Sequence, residues 1–138
     1  HRAKPNNQPE YSAKEECYFK ELEKRNNWKN PDRYIYNINE KGEPLPNDSV
    51  FFNKNYAYSF GVDIEDSTTF FSLPANTEDT IALYLYNHVV DRTPQLRRIE
   101  IIFNYEEDLD ERASIGHSRT EEYAVRGKRL VKLKHDME

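Results

Sequence analysis

Residues 80–105 read TIALYLYNHVVDRTPQLRRIEIIFNY, and the folding of this stretch decides the architecture. Thr80–Val90 and Gln95–Tyr105 are both rich in β-branched and aromatic residues, which predicts two central strands. Asp91-Arg92-Thr93-Pro94 between them predicts a four-residue hairpin loop. A symmetric hairpin sets Tyr86 opposite Ile99, Tyr84 opposite Ile101 and Ala82 opposite Phe103. Leu83 then faces Ile102, and Val89 faces Leu96, on the other side. Both faces are apolar in the middle, so both require cover. A second sheet and an N-terminal helix are the expected covers.

That helix is predicted over 12–25. Ser12 with Glu15 forms a capping box, and Lys24 and Arg25 suit the negative C-terminal end. Tyr11, Tyr18 and Leu22 share a narrow apolar stripe beside Phe19, and Asn26-Asn27 offers a left-handed cap. Trp28 is the expected anchor of the helix on the sheet. Ahead of it, HRAKPNNQPE (1–10) reads as a flexible polar tether, leaving 11–138 as a single β-rich domain.

Period-two patterns continue on both sides of the central pair. RYIYNI (33–38) sets Tyr34, Tyr36 and Ile38 on one face, followed by a turn at NEKG (39–42) and a loop at EPLPND (43–48). SVFF (49–52) and TTFFSL (68–73) read as short strands. YAYSFGV (56–62) alternates Tyr56, Tyr58, Phe60 and Val62 with the small residues Ala57, Ser59 and Gly61. TEEYAV and KRLVKLK flank Arg126-Gly127, a tight hairpin that sets Tyr123 opposite Leu130 and Glu121 opposite Lys132. The connections are too short for parallel crossovers, except 106–119, which lacks a helical pattern. The expected fold is mainly β: an antiparallel sandwich or partly closed barrel of about eight strands with one N-terminal helix.

Composition narrows the function classes. The chain has 138 residues and is 36% hydrophobic, but 13% aromatic, and these large rings supply the core that the aliphatics would not. One cysteine, Cys17, excludes an intrachain disulfide framework and a multi-cysteine zinc site, and is expected to be a small buried hydrophobe. No apolar run approaches the length of a membrane span. Gly42, Gly61, Gly116 and Gly127 stand far apart, so there is no phosphate-cradling loop. With a chain that opens on His1, an extracytoplasmic location after removal of an N-terminal segment is favoured over a cytoplasmic one. Asn47-Asp48-Ser49 matches a glycosylation acceptor.

The net charge of −5 conceals blocks. Residues 63–91 hold six acids and no Lys or Arg, EEDLDE (106–111) holds five acids, and 112–138 is net basic. Such blocks make a dipolar surface suited to a charge-complementary protein, while the acidic blocks repel nucleic acid. Asp63, Glu65 and Asp66, with Glu106, Glu107, Asp108, Asp110 and Glu111, are the candidate binding acids. They read as solvated loops rather than a calcium site, since the EF-hand pattern is missing. Tyr34 and Tyr36 are added as a candidate tyrosine face for a partner.

Among the histidines, His1 and His135 sit at the ends, and His88 is expected mid-strand opposite Arg97. His117 is expected in a polar loop near Ser114 and Ser118. The expected function is a non-catalytic protein-binding domain, an inhibitor or immunity-type protein acting through an acidic surface on a basic partner, with no cofactor and no metal. Two alternatives are a ligand-binding β-barrel with an aromatic-lined cavity and a hydrolase using His117 as its base.

Overall fold

The computed structural model of the chain describes residues 8–46 and 50–134. Helix α1 (Ala13–Asn26) leads into strands β1 (Lys29–Asn37) and β2 (Tyr56–Ile64). Two helices follow, α2 (Ser67–Phe71) and α3 (Thr77–Tyr84), the second continuing into a wide π-type turn at Leu85–Val89. Strands β3 (Leu96–Asp110), β4 (Ala113–Arg126) and β5 (Arg129–Lys132) complete the order. The strands form one sheet, β1-β2-β3-β4-β5, in which only β2 and β3 are parallel. Among the described residues no helix is long and apolar enough to cross a membrane.

The fold is mainly β with an N-terminal helix, as the sequence predicts. The sandwich or closed barrel of about eight strands is not observed: the sheet has five strands and stays open. The decisive difference lies at 80–90, which is helix rather than strand. Ile81, Ala82, Leu85, Tyr86 and Val89 are buried at helical spacing, while Leu83, Tyr84, Asn87 and His88 are exposed. Glu78 and Asp79 occupy the first turn of α3, where carboxylates favour a helix N-terminus. The apolar residues of this segment satisfy both periods, and the helical one wins because it buries one stripe on the sheet.

The Tyr86–Ile99 hairpin therefore does not exist. Instead Ile99 lies opposite Tyr58 on one side and Tyr123 on the other. The segment between β2 and β3 is the crossover that a parallel pair requires. TTFFSL is likewise not a strand. Asp66 caps α2 by accepting from Thr69 N–H at 2.8 Å, and Phe70 is buried. Residues 50–52 form no strand either, and Asn47-Asp48-Ser49, His1 and His135 lie outside the described residues.

The α1 prediction holds closely. Both halves of the capping box are present, and Asn27 closes the helix at φ 54°. Tyr18, Phe19 and Leu22 are buried, and Trp28 packs edge-on against Phe103 with ring centroids 5.1 Å apart. Cys17 is exposed rather than buried. Residues 106–119 are not a connection. Glu106–Asp110 continue β3, Ala113 onward is β4, and a short turn at 111–112 joins them. The final hairpin pairs Tyr123 with Lys132 and Val125 with Leu130, a two-residue slip from the expected register. Gly127 takes the left-handed conformation the turn needs, at φ 64°. The slip preserves which faces meet, and Lys132 still reaches Glu121 at 3.0 Å.

All three helices pack on one face of the sheet. That face contributes Tyr56, Tyr58, Phe60, Val62, Ile99, Ile101, Phe103 and Tyr123 to the core. The sheet does not close into the barrel that the ligand-binding alternative assumed. The acids of α3 tie it to β4 and β5. Arg119 clamps Glu78 through two bonds of 2.9 and 2.5 Å, and Asp79 accepts from Tyr123 at 2.6 Å.

Candidate functional site

Strand β1 is turned over relative to the simplest apolar expectation. Its buried residues are Pro31, Arg33, Ile35 and Asn37, while Tyr34 is exposed and Tyr36 half-buried on the opposite face. The inversion works because both inward polar residues are satisfied. Arg33 meets Glu15 at 2.7 Å, and Asn37 donates to Phe51 O at 3.1 Å. Glu15 also accepts from Tyr58 at 2.7 Å and from Ser12 N–H at 2.8 Å. Burial alone would raise the Glu15 carboxyl. The bonds from Arg33, Tyr58 and Ser12, with the guanidinium charge, outweigh it and hold the group below its ordinary range.

Residues 8–10 join this cluster. The Gln8 side-chain amide accepts from Ile35 N–H at 3.0 Å and donates to Ile35 O at 2.5 Å, as a neighbouring strand would. Glu10 O accepts from Arg33 at 3.0 Å.

The helix-free face is the candidate site. Alternation along β2 turns Ala57, Ser59, Gly61 and Asp63 to it, so a trough floored by small residues runs along that strand, buried at Ala57 and Ser59 and half-buried at Gly61. Tyr34 and Tyr36 of β1 form one wall, their rings 5.7 Å apart. Arg98, Glu100, Ile102 and Asn104 of β3 form the other, by register. At the Asp63 end the trough opens into a pocket of about 350 Å³ lined by Tyr34, Ser59, Gly61, Ile102 and Asn104, which continues round the β1 edge to Glu23 of α1. Ser59 donates to Glu100 at 2.7 Å, and Arg98 pairs with Glu122 at 3.1 Å. Burial, then the Glu100 and Glu122 carboxylates, push the Tyr36 phenol up to about 12, so it stays a neutral donor. The turn at Gly42 lies over the Arg98 end. Its φ of 84° favours glycine, and a Cβ there would stand 2.6 Å from the guanidinium end of the flexible Arg98 side chain, which would have to shift.

The candidate acids are divided by this geometry. Asp63 pairs in register with Asn104, Glu106 with Gly116 and Asp108 with Ser114, which brings Asp63, Glu106 and Asp108 to one end of the open face. Glu65 is exposed just after β2, and Glu111 is exposed in the hairpin turn. Asp66 is spent on capping α2, and Asp110 accepts from Arg112 N–H at 2.7 Å. Glu107 points the other way, to His117 at 3.1 Å. At the opposite end of the sheet stand Arg97, Arg98, Arg126 and Arg129, but the expected separation of the blocks is only partial, because Glu78 and Asp79 of the acidic stretch 63–91 pair with Arg119 and Lys132 of the basic C-terminal stretch.

His117 sits on β4, not in a loop. Its ring stacks on Tyr105 at 5.7 Å and meets Phe71 edge-on at 5.3 Å. Strand alternation turns Ser114 and Ser118 to the other face, so neither serine is presented to this ring. His88 lies on the helical crossover and packs on Tyr84 at 4.7 Å, rather than opposite Arg97. Among the described residues no group of three or more His, Cys, Asp or Glu is placed to hold a metal ion.

The trough itself was missed in the sequence, although its signal is the Ala57-Ser59-Gly61 alternation. Recognising it required knowing that no second layer covers that face. No protein-family model, curated protein or solved structure matches the chain.

Proposed function

We propose that this chain is a non-catalytic recognition domain that binds a basic surface of another protein through the open face of its sheet. One observation carries the reading. A helix-free face combines two adjacent tyrosines, a trough of small residues and the acidic end formed by Asp63, Glu106 and Asp108. Tyrosine suits such a surface because its apolar ring buries area while its hydroxyl keeps a hydrogen-bond partner. The acids supply long-range attraction that speeds encounter with a basic partner. An inhibitor or immunity-type role, in which this end covers a basic active site, fits the same arrangement.

The test is affinity capture from the source organism, followed by kinetics on the captured protein. Reversing Asp63, Glu106 and Asp108 to Lys should slow association about tenfold or more and abolish its salt dependence. Tyr34→Ala with Tyr36→Ala should raise the dissociation rate. Lys20→Glu, on the exposed side of α1, is the control that leaves binding intact. A partner that binds both site variants as well as the wild type would refute the reading.

A further inference from the structure

Strand alternation would send Arg97 and Arg98 to opposite faces of β3. Both nevertheless line one pocket of about 320 Å³, at the end of the trough away from Asp63. The cause lies in the register. Tyr56 pairs with Leu96 and Ala57 with Arg98, so Arg97 is an extra residue with no partner on β2. Such a bulge re-aims a side chain. Arg126 lines the pocket as well, because it shares a face with Ala124, the β4 partner of Arg98. The turn through Asn39, Glu40 and Gly42 forms the rim.

The three guanidiniums are largely uncommitted. Arg98 donates to Glu122 at 3.1 Å, and Arg97 donates to the neutral side chain of Asn55 at 3.3 Å. The Arg126 side chain has no hydrogen-bond or ion-pair partner among the described residues. Glu40 is the one carboxylate lining the pocket among the described residues, so the positive charge is in excess.

We propose that this pocket binds a phosphate group, with Arg97 and Arg126 as its direct donors and Arg98, steadied by Glu122, as the third charge. A guanidinium fork matches two phosphate oxygens at once. Two arginines without a carboxylate partner suit a group that is close to doubly charged at neutral pH better than a single carboxylate. The acids at the far end of the same face would repel a long phosphate backbone, so the group is a lone phosphate rather than part of a nucleic acid. The pocket lies about 20 Å along β2 from Asp63, so the proposal is independent of what the acidic end binds.

Titration of the isotope-labelled full chain at constant ionic strength, followed by amide chemical shifts, tests the site. Inorganic phosphate should shift Gly42, Arg98 and Arg126 saturably, and acetate should bind about tenfold more weakly. Phenyl phosphate distinguishes the source: equal or tighter binding assigns a phosphate ester, and binding of the free ion alone assigns inorganic phosphate, and either supports the site. Arg97→Gln with Arg126→Gln should weaken phosphate about tenfold or more. Glu40→Gln should tighten it about twofold. Lys128→Gln with Arg129→Gln removes as much charge outside the pocket and should leave the affinity unchanged. All five side chains are exposed, so the variants keep the fold. No saturable shift, equal affinity for acetate, or an equal loss in the Lys128 and Arg129 control overturns the proposal.

Discussion

Arg33→Met is expected to lower unfolding stability by about 3–5 kcal/mol in urea denaturation, because removing one partner strands a buried charge. The Glu15 carboxylate would keep Tyr58 and Ser12 N–H but lose its cation, in a site where both side chains are almost completely buried. The same change releases Glu10 O and loosens the hold of residues 8–10 on β1. Replacing the pair together, Glu15→Leu with Arg33→Met, should recover part of the loss, since apolar pairs often substitute well for buried ions. A loss of less than about 1 kcal/mol for the single variant would contradict a buried, paired charge here.

The pH dependence follows in sign. The Glu15 carboxyl titrates below its ordinary value of 4.5 in the folded chain. A depressed folded pKa contributes stability that is fully present above the unfolded value and is lost as pH falls through the folded one. Asp66, held down by its bonds from Thr69, and Asp79, held down by its bonds from Tyr123 and Lys132, act in the same direction. Acid unfolding of the wild type should therefore set in below pH 4.5. In Arg33→Met the contribution of Glu15 to that acid limb should disappear.

Phe60→Ala should cost about 3–5 kcal/mol, the range for deleting a buried aromatic ring. Phe60 is fully buried beneath Phe19 and Tyr18, with ring centroids at 5.4 and 6.4 Å, so the cavity opens at the joint between α1 and the sheet. Tyr34→Ala, on the open face, should stay within about 1 kcal/mol. Chemical denaturation of the two variants side by side separates the covered face from the open one. Equal losses would mean that Tyr34 is core and that the face is not free to bind.

Local signals in the sequence were sound where one residue type has one physical use. Ser12 and Glu15 marked the start of α1, Asn27 its end, and Gly127 the last turn, because capping and left-handed backbone leave distinct residues behind. YAYSFGV disclosed both faces of β2 for the same reason. The helix at 77–89 was hidden because its β-branched and aromatic residues satisfy a strand as well as a helix. Only the burial of one stripe against the sheet decides between them. The acids show the same limit. Glu78 and Asp79 looked like part of a surface block, but Arg119, Tyr123 and Lys132 engage them within the fold. Asp63, Glu106 and Asp108 converge only because β2 and β3 run parallel, a pairing that the short loops disfavoured.

The central claim is that recognition uses the helix-free face. Hydroxyl-radical footprinting of the chain, free and bound to its captured partner, tests it most directly. Tyr34 on that face and Tyr84 on the crossover helix are equally exposed, at 43% each, so they report on opposite sides with the same sensitivity. The account predicts strong protection of Tyr34 on binding, with Tyr84 and Leu83 still fully reactive. Protection of Tyr84 and Leu83 with Tyr34 unchanged would contradict it.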